Sequence, residues 1–471
     1  MNKKIFGCIF VFFAGLCAFA DFNRFNIPDS AEIRRAKAES WFFGELGQLR
    51  EKKSEIEKNA VGQEFQIRME ETDSTFAVVV APKTLLETEI FTEKGVEKRT
   101  VDNFAGDSCG GWVLVKDSKT SKPLFLRIYF SQDSDEFVQF APSGAKTLSD
   151  FVISGLYAAH SVPLGIPFEK LYTLSFEQIF SLTENLLPWK YADRQQGQFE
   201  SKLQMIAAIR KNLERVVYCP DSCYDENGKP IFISSGKERK IDFEEIEKTS
   251  GKIENPVVVD DAGFLKWICD GLVEPVTGSF LYRNPLVMPT SEENKTGKKS
   301  IISQNYYLSF SLDWCRNLAA AALSVKSHRN YLWKDSGVDV TLEPFASEVT
   351  DRGITQTAGY LKNSGYQIEK LKPLLFVLAS TEPTYCYLAA IKRPLQDKKL
   401  SDSEIFAFDR CAVIFPLYDK NGRFNCVIFE NGRELTFKQF AEKYKGSFIH
   451  LSRLLTDNNF YLLYNIFSCT N

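Results

Sequence analysis

Between Gln63 and Phe130 the chain is written in short runs that alternate apolar and polar residues or concentrate β-branched ones: QEFQIRME, TFAVVVA, ETEIFT, GWVLVKD and PLFLRIYF. Gly, Asp, Ser and Lys separate the runs. A period of two is the mark of strands with one buried face, so residues 62–141 predict an antiparallel sheet of about six strands. Ahead of it, Asp29 and Ser30 precede Glu32, and a charged amphipathic run continues to about Lys58. This predicts an opening helix packed against the sheet. Helices are predicted next at 147–160, at 175–186 with Ser175 and Gln178 as a capping box, and at 198–215. The first half is thus an α+β unit over 21–215.

Residues 216–255 change texture. CPDSCYDENGKPIFISSGKERK is polar and rich in turn formers, and predicts a linker or hairpin excursion. The second half, 256–471, opens with the strand PVVVD and a helix over Asp261–Asp270. Helices follow at 313–326 and 346–363, then strands at 374–379, 385–392, 410–418 and 423–430, the last two joined by the turn Asp419-Lys420-Asn421-Gly422. A helix at 436–444 and a strand at 447–453 complete it. Helices first and a sheet of hairpins afterwards is again an α+β order. No internal repeat or low-complexity segment is visible.

The N-terminus changes the picture more than any core pattern. Lys3 and Lys4 lead an apolar run from Ile5, which ends at Ala18-Phe19-Ala20. This is the pattern of a secretory signal peptide over 1–20, cleaved after Ala20. The run is too short for a good transmembrane helix, and no later segment is long and apolar enough to span a bilayer. Leu16 stands before Cys17, where a lipobox has a small residue. The mature chain is therefore expected to be extracytoplasmic, periplasmic or secreted, with a signal of bacterial type.

Composition is that of an ordinary globular protein, 44% hydrophobic and 25% charged. The formal charge of −3 becomes −5 once the two signal lysines leave. A balance this close to neutral carries no electrostatic footprint for nucleic acid. Nine of the 11 cysteines lie beyond the signal, at 109, 219, 223, 269, 315, 386, 411, 426 and 469. An odd number in an exported chain leaves at least one thiol unpaired within it. Only Cys219 and Cys223, in CPDSC, are close enough in sequence to suggest a local disulfide. No second such pair and no nearby histidine accompanies them, so neither a metal nor a cofactor is expected.

Most chemical motifs fail. TGKKS at 296–300 lacks the glycine of a phosphate loop, and neither G-x-G-x-x-G nor G-x-S-x-G occurs. Ser234-Ser235-Gly236-Lys237 and Lys295-Thr296-Gly297 spell S-x-x-K and KTG, but the serine falls in a strand-turn region. Of the three histidines, His160 and His328 fall near predicted helix C-termini, where an imidazole favours the dipole. The stretch with most chemical interest is DWCRNLAAAAL, residues 313–323. Asp313 is expected to cap a helix, and a thiol in its first turn, Cys315, would feel the positive end of the dipole. Read blandly, Cys315 is a small apolar residue in a helix core. His328 lies 13 residues on, about 20 Å along one helix, and is out of reach. His450, in SFIHLSRL, is the remaining base for Cys315, with Asn465 to orient it.

The order Cys315, His450 and their separation are similar to those of papain-like enzymes. The second half more widely resembles papain-like folds. DDAGFLKWICDGL (260–272) resembles the nucleophile helix of NlpC/P60 peptidases, with Ala262 at the cysteine position. RCAVIFPLYDKNGRFNCVIFENGRELTFKQF (410–440) resembles the histidine hairpin of C39-like peptidases, with Cys411 at the histidine position. DWCRNLA resembles the C-R-D-F-A helix of transglutaminase-like proteins, which would make Cys315 the nucleophile; Thr384, Tyr385 and Cys386 stand where that family has its histidine. The resemblance implies a peptidase-type body from which the chemistry has been lost. The expected role is non-catalytic binding of a protein or cell-envelope component. The alternative is a thiol hydrolase or transferase of peptide or cell-wall substrates, working through Cys315, His450 and Asn465.

Overall fold

The computed structural model describes residues 27–92, 95–131, 135–194, 197–290, 308–350, 353–357, 359–395, 405–420 and 422–462. The signal peptide, the KTG tripeptide, Asn465 and Cys469 lie outside the described residues. The fold is α+β, with a large antiparallel sheet formed mainly by the first half.

The opening helix is shorter than the charged run suggests. α1 covers Ala31–Lys37, a wider π turn carries the chain over Ala38–Phe42, and Glu55–Lys58 is already a strand, β1. Two observations explain the early stop. Trp41 and Phe42 are wholly buried, and the Trp41 indole donates to Glu55, which fixes the reversal of the chain. Arg34 is buried in α1 and donates to the carbonyls of Leu171, Tyr172 and Leu174, which ties the helix to a distant loop.

The strands of the first half follow in order: β2 (Glu64–Glu71), β3 (Thr75–Pro82), β4 (Thr84–Thr92), β5 (Gly95–Asn103), β6 (Trp112–Asp117), β7 (Pro123–Tyr129), β8 (Glu136–Ser143), β9 (Lys146–Ile153) and β10 (Leu156–Leu164). β4 and β5 pair only with each other. In the main sheet the inward set includes Phe76, Val78, Trp112, Leu114, Leu126, Val138, Phe140 and Phe151, buried against Trp41, Phe42 and Tyr172. The region read as a helix at 147–160 is the β9–β10 hairpin. Ile153 pairs with Leu156, and Ser154 and Gly155 between them both have positive φ, the requirement of a two-residue type I′ turn. His160 therefore stands in a strand, away from any helix end. The capping box of Ser175 and Gln178 opens α2 (Phe176–Thr183), and α3 covers Glu200–Asn212.

Residues 216–255 are folded. β11 (Val216–Tyr218) runs parallel to β14 (Val257–Val259), and β12 (Ser222–Tyr224) pairs with β13 (Pro230–Phe232). α4 (Phe243–Ser250) is capped by Asp242. Cys219 and Cys223 are free thiols: Cys223 is buried on β12, while Cys219 is only partly covered. The suggested local disulfide is not formed. α5 (Asp261–Thr277) starts against β12 so closely that a Cβ at Gly263 would lie 2.1 Å from the Ser222 carbonyl oxygen.

α6 spans Phe310–Ser327. The helix expected at 346–363 is a hairpin, β15 (Ser347–Thr350) and β16 (Gly353–Gln356), which extends the large sheet beyond β10. Its β-branched residues and the positive φ of Gly353 suit a hairpin better than a helix. The strand expected at 374–379 belongs to a helix, α7 (Leu371–Thr381). Pro373 sits in its first turn, and it reads as apolar throughout because it is buried on both sides. The second sheet comprises β17 (Tyr366–Gln367), β18 (Tyr385–Leu395), β19 (Ile405–Tyr418), β20 (Phe424–Glu430), β21 (Arg433–Leu435) and β22 (Phe448–Leu455), in the order β17-β22-β18-β19-β20-β21. Cys386, Leu388 and Ala390 face α5 and α6, whereas Tyr387, Ala389 and Ile391 belong to the core shared with α7 and α8 (Phe437–Lys443).

Candidate functional site

α6 lies across the second sheet and brings two neighbours in sequence to two different places. Ser309, four residues before the expected cap Asp313, precedes the helix, so Asp313 is inside it and accepts hydrogen bonds from Thr290 and Ser309. Asp313 is thus not the cap, and Cys315 sits in the second turn, where the helix dipole has decayed. Cys315 is wholly buried. It lies beside Cys411 on β19 and near Cys269 of α5. Burial pushes its thiol well above the ordinary value, the two neighbouring thiols push in the same direction, and no cation offsets them. This is the environment of an inert core thiol.

Arg316, one residue on, is the centre of a different cluster. It is also buried, at 2% exposure. Its Nε and Nη2 hold the Asp339 carboxylate at 3.1 and 2.7 Å, and its Nη1 lies 3.2 Å from Thr290 Oγ1. The guanidinium stacks over the Trp333 ring at 4.3 Å. His450 comes in from β22, with Nε2 at 3.4 Å from Asp339, 3.4 Å from Arg316 and 3.5 Å from the Tyr360 hydroxyl. Its Nδ1 has no hydrogen-bond partner among the described residues.

Cys315 and His450 are not brought together. His450 pairs with Ala390, and Ala390 pairs with Cys411, so a whole strand separates the imidazole from the strand that meets Cys315. At 4.7–4.9 Å per strand the outer two are about 10 Å apart. The residue of α6 that reaches the imidazole is Arg316, which supplies no nucleophile. The two positions at which the peptidase resemblance puts its chemistry, Ala262 and Cys411, flank an ion pair instead: Arg410 donates to Asp261 at 2.9 Å. Sequence reasoning missed Arg316, Asp339 and Tyr360. The only local signal was the arginine beside Cys315.

Burial lowers the pKa of His450, and the nearby Asp339 carboxylate only partly offsets this. For Asp339, burial raises the pKa, but His450 and Arg316 outweigh it and hold the carboxyl below its ordinary range. A group lowered in the folded state binds fewer protons folded than unfolded, so stability rises with pH. His450 therefore contributes a loss of stability as pH falls below the ordinary imidazole value of 6.5, and Asp339 a further loss below 3.8. The stability lost between pH 7 and 5, measured by urea denaturation, should be larger in the parent protein than in His450→Gln. Equal losses would contradict the assignment.

An open groove lies elsewhere. A groove of about 490 Å³ is lined by Phe424, Cys426, Leu435, Phe437, Arg210 and Lys372, among others. It follows the outer edge of β20: Phe424–Val427 pair with β19 on the inner side, while on the outer side β21 pairs only with Ile428–Glu430 and leaves them without a second partner strand among the described residues. Arg210 is held at the rim by both oxygens of Glu434, at 2.7 and 2.6 Å.

Among the described residues no His, Cys, Asp and Glu side chains group so as to hold a metal ion, and no helix is long and apolar enough to cross a membrane. No curated protein and no solved structure matches the chain. Residues 23–191, which contain α1, β1–β10 and α2, match a family model described as a domain of unknown function (DUF8515).

Proposed function

We propose that this chain is an exported bacterial protein, released from its signal after Ala20 into an extracytoplasmic compartment. In this reading its second half, a papain-like body without working thiol chemistry, binds a protein or cell-envelope component. The observation that carries the reading is the separation of Cys315 from His450: one is sealed against Cys411, the other is engaged by Asp339 and Arg316. A thiol hydrolase needs its base within hydrogen-bond reach of its nucleophile. The groove at the β20 edge suits an extended polypeptide, because a bare sheet edge offers backbone groups and Phe424, Leu435 and Phe437 offer apolar contacts.

A displayed library of random peptides, panned on the full chain, tests this. Enriched sequences should bind the parent protein, and Phe437→Asp should weaken them at least tenfold. Sequences that bind both proteins equally would remove the groove from the proposal. Cleavage of bound peptides, abolished by Cys315→Ser, would replace the binding reading with the hydrolase alternative.

A further inference from the structure

His160 lies apart from the second-half cluster, and its setting in the first half is unusual. The β9–β10 pairing slips between Ala159 and Val162, so that His160 and Ser161 together oppose the single residue Asp150. Such a bulge re-aims side chains and leaves residues free of the ladder. Ser161 has φ of +53°, a left-handed conformation that non-glycine residues seldom adopt and that clusters at functional positions.

The bulge assembles three groups in a line. Asp150 Oδ1 is 2.9 Å from His160 Nδ1, and His160 Nε2 is 3.1 Å from Ser161 Oγ. Asp150 Oδ1 also accepts from the Ser161 backbone N–H at 2.8 Å, which fixes the turn. The carboxylate is supported from behind. Gln139 donates to its other oxygen at 3.3 Å, and Arg127 Nε donates to Gln139 at 2.8 Å. The Arg127 guanidinium is held over Phe125 and Phe137, at 4.7 and 4.3 Å from their ring centroids. The Tyr157 ring meets the imidazole edge-on at 4.8 Å. Asp150 is buried, while His160 and Ser161 are exposed. A buried carboxylate, an oriented imidazole and an exposed hydroxyl are the parts of a general-base nucleophile system, recognised by geometry and not by sequence order.

We propose that Ser161 is a nucleophile activated by His160 and oriented through Asp150, acting on acyl esters. In the step, Ser161 Oγ bonds to the ester carbonyl carbon and its proton passes to His160 Nε2. The carbonyl electron pair moves to oxygen. On collapse the bond to the leaving group breaks, and that group departs with the proton from Nε2. Water then attacks the acyl-serine in the same way, releases the acid and regenerates the hydroxyl. Because His160 and Ser161 face solvent, the leaving group is not desolvated. The substrates this geometry suits are therefore esters with leaving groups that depart as weak bases, aryl esters and thioesters. Asp150 is a positioning residue here. The inference concerns the first half and stands apart from binding by the second.

The test uses the full chain and a fluorophosphonate probe, in which the Ser161 Oγ–P bond forms, the P–F bond breaks and fluoride leaves. The expected result is one label on the peptide that contains Ser161. Ser161→Gly keeps the left-handed backbone at no steric cost and should lose the label. His160→Gln should slow labelling about 10²–10⁴-fold, the usual contribution of a positioned base. Hydrolysis of p-nitrophenyl acetate should fall in parallel, with thermal unfolding of both variants unchanged. Absence of label on the parent chain, or equal labelling of the parent and Ser161→Gly, would overturn the proposal.

Discussion

Asp339→Ala should destabilise the protein by about 3–5 kcal/mol, the usual cost of removing one partner from a buried ion pair. Arg316 is 2% exposed, and its Nε and Nη2 both bind this carboxylate. Once Asp339 is gone, the guanidinium keeps its stack on Trp333 and its contact with Thr290, but neither neutralises it. His450 also loses the acceptor at its Nε2. The charge cannot be relieved by deprotonation, because a guanidinium stays protonated in proteins. The double replacement Arg316→Met with Asp339→Leu should recover most of the loss, since apolar residues of similar volume often replace a buried pair without cost. Urea denaturation of the parent and the two variants measures both numbers. A loss below about 1 kcal/mol for Asp339→Ala is the value of an exposed pair and would mean that water reaches Arg316.

The parts of the fold that could be read along the chain are those with local chemistry of their own. Ser175 and Gln178 reach each other's backbone across one turn and announce α2 without tertiary help. Thr436 and Gln439 do the same for α8. The strands of the second sheet are set off by turn residues and not by alternation, since β20 and β22 are buried along most of their length, and the turn at Asp419–Gly422 closes as its residues suggest. The errors came where burial on both sides erases the period. In β9, Phe151, Val152 and Ile153 are all buried, so the run does not distinguish strand from helix. α7 failed in the opposite direction for the same reason.

The candidate site was less legible, because its geometry depends on where helices and strands cross. Starting α6 at Phe310 turns Asp313 from a cap into an interior acceptor and moves Cys315 out of the first turn. Arg316 and Asp339 are 23 residues apart and meet only when α6 lies against the segment that bridges to Ser452 of β22. The Asp150, His160 and Ser161 line depends on a bulge, and a bulge interrupts the alternation on which strand reading rests.

The inertness of Cys315 is the point on which the binding reading turns. The thiolate is the reactive form, and burial, Cys411 and Cys269 all oppose it. Cys315 should react only when the helix-sheet layer opens, and core elements open with free energies close to that of global unfolding. The direct measurement is iodoacetamide labelling of the folded chain at neutral pH, with Cys315 followed by peptide mass spectrometry against the same chain in denaturant. Labelling of Cys315 in the folded protein should be slower by on the order of 10³-fold or more. Labelling at a rate near that of the denatured chain, with loss of a peptidase or amidase activity in Cys315→Ser, would contradict the account.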